Sequence, residues 1–107
     1  MSKHKGNEMK EQITIVVPIK AKDDKIEEVR CRLIEMVALT RKEKGNIGYT
    51  LHEEIGNPGS FVIYENWKDQ AALDFHMEQP YLKNLLADAS KLLKEDIKGT
   101  LCTIIAK

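Results

Sequence analysis

The chain has 107 residues, of which 42% are apolar, 32% charged and 6% aromatic. That is one domain's worth of sequence, long enough to close a single core without disulfide or metal staples. Seventeen Lys and Arg balance seventeen Asp and Glu, so no net field draws the chain to nucleic acid or to anionic lipid, and neither is expected as a partner.

Residues 1–11 carry charges throughout and lack the apolar run of a secretory signal, which reads as a flexible leader ahead of one domain over 12–107. Ile13 to Ile19 is β-branched and short, as strands are, and far too short to span a bilayer. Pro18 lacks an N–H and suits an edge or the end of pairing. Asp23 or Asp24 offers a helix N-cap, with Glu27 and Glu28 in the first turn. Ile26, Val29, Leu33, Met36 and Val37 then recur at helical spacing through Arg41, and Gly45 supplies a left-handed stop.

Ile47 to Ile55 and Ser60 to Trp67 flank Gly56-Asn57-Pro58-Gly59, which predicts an antiparallel hairpin with a four-residue connection. Asp69 caps a short helix through Met77, and Pro80 interrupts it. A second run from Tyr81 sets Leu82, Leu85, Leu86, Ala89, Leu92 and Leu93 on one stripe. Gly99 ends it, and Thr100 to Ile105 reads as a closing strand. The order β-α-β-β-α-β, with the second helix in two pieces, is the ferredoxin-like α+β arrangement, an antiparallel sheet with helices on one face. Apolar residues on both sides of a sheet covered once call for a second cover. A homodimer packed through the open sheet face, as a dimeric α+β barrel, is therefore expected.

The two cysteines, Cys31 and Cys102, form neither a CxxC pair nor a Cys/His cluster, so no disulfide framework or zinc site is expected. Each fits a small apolar filler, and the cytoplasm is the expected compartment. Pairing Ile55 with Ser60 sets His52 against Ile63, Thr50 against Glu65 and Gly48 against Trp67 on one side of the sheet. Tyr49, Leu51, Val62, Tyr64 and Asn66 then take the other side, and a one-residue slip would regroup them all. Gly48 opposite Trp67 leaves space beside an indole for a flat ligand.

His76 shares a helix face with Ala72 and Leu73; with that face toward the sheet, His52 and His76 look into one cavity. An imidazole takes up a proton near neutrality, which suits a general base, though a structural histidine with one hydrogen bond has the same signature. Trp67 equally fits core packing. Glu65 in a central strand either finds donors or holds a raised pKa and joins proton transfer. Phe75 and Tyr81 are helix-face aromatics, and Lys83, Lys91, Lys94 and Lys98 form a solvated surface. The chain contains no phosphate loop, GxSxG, HExxH or dinucleotide fingerprint, so no metal or organic cofactor is expected.

Three stretches, in their order and spacing, resemble the antibiotic biosynthesis monooxygenase family. They are Gly45-Asn46-Ile47-Gly48-Tyr49, Phe61 to Trp67 with its Glu65-x-Trp67, and Ala71 to Tyr81 with His76 a few residues before Pro80. The resemblance covers Ile13 to Lys107. It implies a ferredoxin-like dimer whose cavity, between sheet and helices, takes planar phenols or quinols that several members oxygenate with molecular oxygen and without flavin or metal. On this resemblance His52 or His76 is the base, Trp67 a wall, Glu65 an orienting or framework carboxylate, and Tyr49 a neighbouring contact or part of the dimer face, with Phe75 counted among the substrate contacts. The same stretches look like the isomerase that processes phosphorylated autoinducer-2, which moves protons on a small phosphorylated dione. A haem-degrading branch needs an Asn on the first strand, and Val16-Val17-Pro18 has none. The expectation is a cofactor-independent monooxygenase of a small quinol or polyphenol; the alternatives are that isomerase and a non-catalytic dimer that binds a small ligand.

Overall fold

β-branched residues open the fold as strand β1 (Ile13–Lys20), and the helical stripe after them forms α1 (Ile26–Thr40). The hairpin follows as β2 (Asn46–Glu53) and β3 (Ser60–Trp67), then α2 (Gln70–Met77), α3 (Pro80–Leu92) and β4 (Thr100–Thr103). The computed structural model describes residues 11–107, and the leader expected over 1–11 lies, except for Glu11, outside the described residues. The strands form one open antiparallel sheet in the order β2-β3-β1-β4, so β1 and β3 are central. This is the ferredoxin-like α+β arrangement, and the sheet of one chain is not closed into a barrel. Among the described residues no helix is long and apolar enough to cross a membrane.

Alternation along the central strands builds the core. Ile15, Val17 and Ile19 of β1 and Phe61 and Ile63 of β3 meet Val29, Leu33 and Met36 of α1 and Leu85, Ala89 and Leu92 of α3. All three helices lie on this side. The other face shows Val16, Pro18, Val62 and Tyr64 among polar neighbours, and Tyr64 is half-exposed. Pro18 stands beyond the β1–β4 ladder, which runs only from Ile13 to Val16, so its missing donor costs no bond there.

Four local expectations are corrected. The N-cap of α1 is Lys25, without a side-chain capping bond, because a tight turn (Lys25 N–H to Lys22 O, 2.8 Å) already brings the chain into the helix and leaves Asp23 and Asp24 outside it. Gly45 is not a left-handed stop: positive φ occurs among the glycines at Gly56 and Gly59, and α1 unwinds through short-range bonds from Lys42 and Glu43. What Gly45 provides is close approach, since a Cβ there would sit 2.2 Å from the Cβ of Ala72. Cys31 and Cys102 are exposed and fill no core: Cys31 lies off the Val29-Leu33-Met36 stripe, and Cys102 opposes Thr14 on the face away from the helices.

The fourth concerns register. Leu51 opposes Ile63, His52 opposes Val62 and Tyr49 opposes Glu65, one residue from the expected pairing. The cause is the turn: Glu54 N–H donates to Ser60 O at 2.8 Å and the Glu53 carboxylate accepts Gly59 N–H at 2.9 Å, so Ile55 lies in the loop. With period two, one step moves every β2 side chain to the other side relative to β3.

Candidate functional site

The Asp69 carboxylate accepts the Ala72 N–H at 2.9 Å and starts α2 directly after β3. That start turns Leu73 and His76 inward; His76 is only 2% exposed. Its ring lies over Trp67 from the end of β3, with centroids 4.5 Å apart and planes 31° from parallel. Tyr49 approaches edge-on at 6.0 Å.

His76 Nδ1 lies 2.7 Å from Glu43 Oε2, both side chains buried. Glu43 sits in the turn between α1 and β2, fixed by its own N–H to Thr40 O and by Asn46 N–H to its carbonyl. A carboxylate accepts, so Nδ1 is the nitrogen that carries hydrogen and Nε2 is the basic one. Among the described residues Nε2 has no hydrogen-bond partner. Tyr81, just behind Pro80 at the start of α3, donates its hydroxyl to the same Glu43 oxygen. Glu43 Oε1 and Thr40 Oγ1 are buried and, among the described residues, without a partner.

Glu65 is 6% exposed and accepts the Trp67 indole N–H at 2.8 Å. Burial pushes its carboxyl above the usual carboxylate range, against the pull of the indole N–H and of the nearby His76. Burial and then the charge of Glu65 push the Tyr49 phenol far up, and burial with the Glu43 contact does the same for Tyr81. Both phenols are therefore neutral hydroxyls at physiological pH.

Of these groups His76, Glu65 and Tyr49 border a cavity of about 400 Å³ between sheet and helices. Tyr49, Glu65 and His76 supply polarity inside it, and Gln70 and Asp74 of α2 add two more polar groups. The remaining side chains are aliphatic or methionine, and among the described residues no Lys or Arg lines it. Met77, Leu86 and Leu101 border the same space while being about half exposed, which marks its opening.

Of the residues expected at a site, His76, Glu65 and Tyr49 share this cavity. His52 does not: the register step puts it on the uncovered face, exposed, with Nδ1 3.1 Å from Val62 O. Gly48 faces Asn66 instead of Trp67, so the slot expected beside the indole is absent. Trp67 is fully buried behind His76 and is not a cavity wall. Phe75, one helical step from His76 and so about 100° round the helix, is 59% exposed and borders a shallow depression with Lys44 and Lys68. Sequence reasoning missed Glu43 and Tyr81. Glu43 stands in the charged run Arg41-Lys42-Glu43-Lys44, which reads as surface; the only hint for Tyr81 is an aromatic placed directly after a helix-starting proline.

The family model for antibiotic biosynthesis monooxygenase matches residues 12–88. In sequence the chain is similar to "Putative monooxygenase YcnE" of Bacillus subtilis, 37% identical over 81 residues that make up 76% of this chain and 85% of that protein. Among solved structures it is similar to Rv0793 of Mycobacterium tuberculosis, with a TM-score of 0.83 and 25% identity over 90% of this chain and 97% of that one. It is also similar to PA3566 of Pseudomonas aeruginosa, with a TM-score of 0.84 and 26% identity over 92% and 98% of the two chains.

Proposed function

This chain belongs to the antibiotic biosynthesis monooxygenase family, and from that premise we propose that it is a cofactor-independent monooxygenase of a small quinol or polyphenol, with His76 as general base. The observation that carries the reading is His76 bordering an apolar cavity with Nδ1 already engaged by Glu43. Nε2 takes a phenolic proton from the bound quinol. The aliphatic walls leave the resulting anion poorly hydrated and so more reducing. It passes one electron to dioxygen, and the radical and superoxide combine at a ring carbon. Cleavage of the O–O bond leaves one oxygen on the ring and releases the other as water. Quinol plus dioxygen gives hydroxyquinone plus water, so the substrate is itself the reductant. Glu65, held toward its neutral form, donates a hydrogen bond to a substrate oxygen, and Tyr49 supports it.

The lining favours a neutral aromatic over a phosphorylated dione. A phosphate dianion would lose hydration beside Asp74 with, among the described residues, no Lys or Arg in the lining to replace it. We further place a second copy of the chain on the uncovered sheet face, as a homodimer.

Oxygen uptake by chelator-treated, flavin-free protein across a panel of naphthoquinols and polyphenols tests the reading, with heavy-isotope dioxygen to follow the inserted atom. One labelled oxygen per product is expected. Equal turnover without oxygen would point to the isomerase, and binding without turnover across the panel to a ligand-binding dimer.

A further inference from the structure

The chemistry above uses the Glu43 contact only to name the basic nitrogen and leaves Tyr81, on the same carboxylate, without a role. Glu43 Oε2 receives two donors, the His76 Nδ1–H at 2.7 Å and the Tyr81 hydroxyl. Oε1 of the same carboxylate is buried with no partner among the described residues, as is Thr40 Oγ1 in the same turn. Two donors from different elements converging on one carboxylate oxygen restrict the rotation of that carboxylate. Loading both on Oε2 fixes that atom in line with Nδ1.

We infer that Glu43 and Tyr81 are a positioning pair for His76: Glu43 holds the tautomer that leaves Nε2 basic, and Tyr81 fixes Glu43 and tempers its charge. The inference rests on the reading of His76 as the base and deepens it. The groups facing the ring are Glu43 from the turn after α1, Tyr49 from β2, Glu65 and Trp67 from β3, and Tyr81 from α3. Asp74, on the same helix as His76, borders the same cavity. Tyr49 and Tyr81 carry no charge near neutrality, and the carboxylate in direct contact with the imidazole is that of Glu43. An anion at Nδ1 favours the imidazolium, so neutralising Glu43 moves proton uptake to lower pH. Removing the Tyr81 hydroxyl leaves more of the carboxylate's charge for His76 and moves it to higher pH. The contact alone gives these shifts; what a purely structural pair would not give is a fall in kcat with KM held.

The test combines nitrogen-15 NMR of the histidine-labelled chain with oxygen uptake against pH, for wild type, Glu43→Gln, Tyr81→Phe and His76→Ala. Wild-type His76 should be protonated at Nδ1 when neutral. Glu43→Gln should lower its midpoint by about one pH unit, bring in the other tautomer, and cut kcat by about 10²-fold with KM little changed. Tyr81→Phe should raise the midpoint. Neutral His76 protonated at Nε2 in wild type, or a tautomer and midpoint untouched in both variants, would overturn the pair. Full activity in His76→Ala would overturn the base reading, and the NMR result would still decide the pair on its own. Should Glu43→Gln not fold, the wild-type spectrum and Tyr81→Phe suffice.

Discussion

Trp67 donates its indole N–H to Glu65 Oε1 across two residues of one strand, while its ring backs His76. Residues i and i+2 of a strand share a face, so the link needs no bend in β3. One buried side chain thus ties Glu65 and His76, both on the cavity, together from behind. Trp67→Ala should cost about 3–5 kcal/mol in urea unfolding, the range for deleting a core aromatic. Trp67→Phe fills most of the space but leaves Glu65 Oε1 without its donor, and about 1–3 kcal/mol is expected.

The two histidines should separate cleanly. His76→Ala should lower kcat by about 10²-fold or more, the ordinary contribution of a general base. His52→Ala, on the uncovered face, should keep kcat and KM in the same oxygen-uptake assay. A wild-type profile flat between pH 5 and 8 would count against the imidazole.

Glu65 gives a pH dependence of stability. Because burial raises its pKa, the folded chain holds that proton more tightly than the unfolded chain does. The stability this contributes is complete below the unfolded carboxylate pKa of about 4.3 and is lost as pH rises through the raised value. Glu65→Gln has no such proton to lose and keeps an oxygen for the indole. Its Tm relative to wild type should therefore climb with pH from 4 upward, as thermal melts in a buffer series will show; a constant difference would contradict the raised pKa.

Asp69 controls His76 through the start of α2. Asp69→Ala removes the acceptor of the Ala72 N–H and should cost about 1 kcal/mol. Because α2 has only eight residues, fraying its first turn should also raise amide hydrogen exchange around His76 and reduce kcat.

For the uncovered face, light scattering at micromolar concentration should give twice the 12.2 kDa of one chain. Tyr64→Glu, a charge placed among Val16 and Val62, should return the monomer mass. A wild-type chain at monomer mass would remove the dimer from the proposal.

Element order was legible because each signal was local. β-branched runs, the Asp69 cap and the Pro80 break act within a few residues. Register was not, since it turned on how the chain closes between Glu53 and Ser60, where the Glu53 carboxylate and the Gly59 N–H compete with simple counting. That single step removed His52 from the site and left His76 there. Glu43 was hidden for a different reason. Its partner lies 33 residues away, and nothing in a run of four charged residues shows that one member turns inward while its neighbours stay wet. Phe75 and Trp67 show that an aromatic can be correctly placed on its element and still face away from the guest.

Gly45, two residues beyond Glu43, has a consequence for His76. Ala72 precedes His76 by four residues, about one turn of the same helix, and it nestles where a Gly45 methyl would have to go. The absent carbon works as a depth gauge: it decides how far the helix sinks and so how far the imidazole protrudes. Evolution could retune the reach of this imidazole with a wedge at position 45, without altering any residue that lines the cavity.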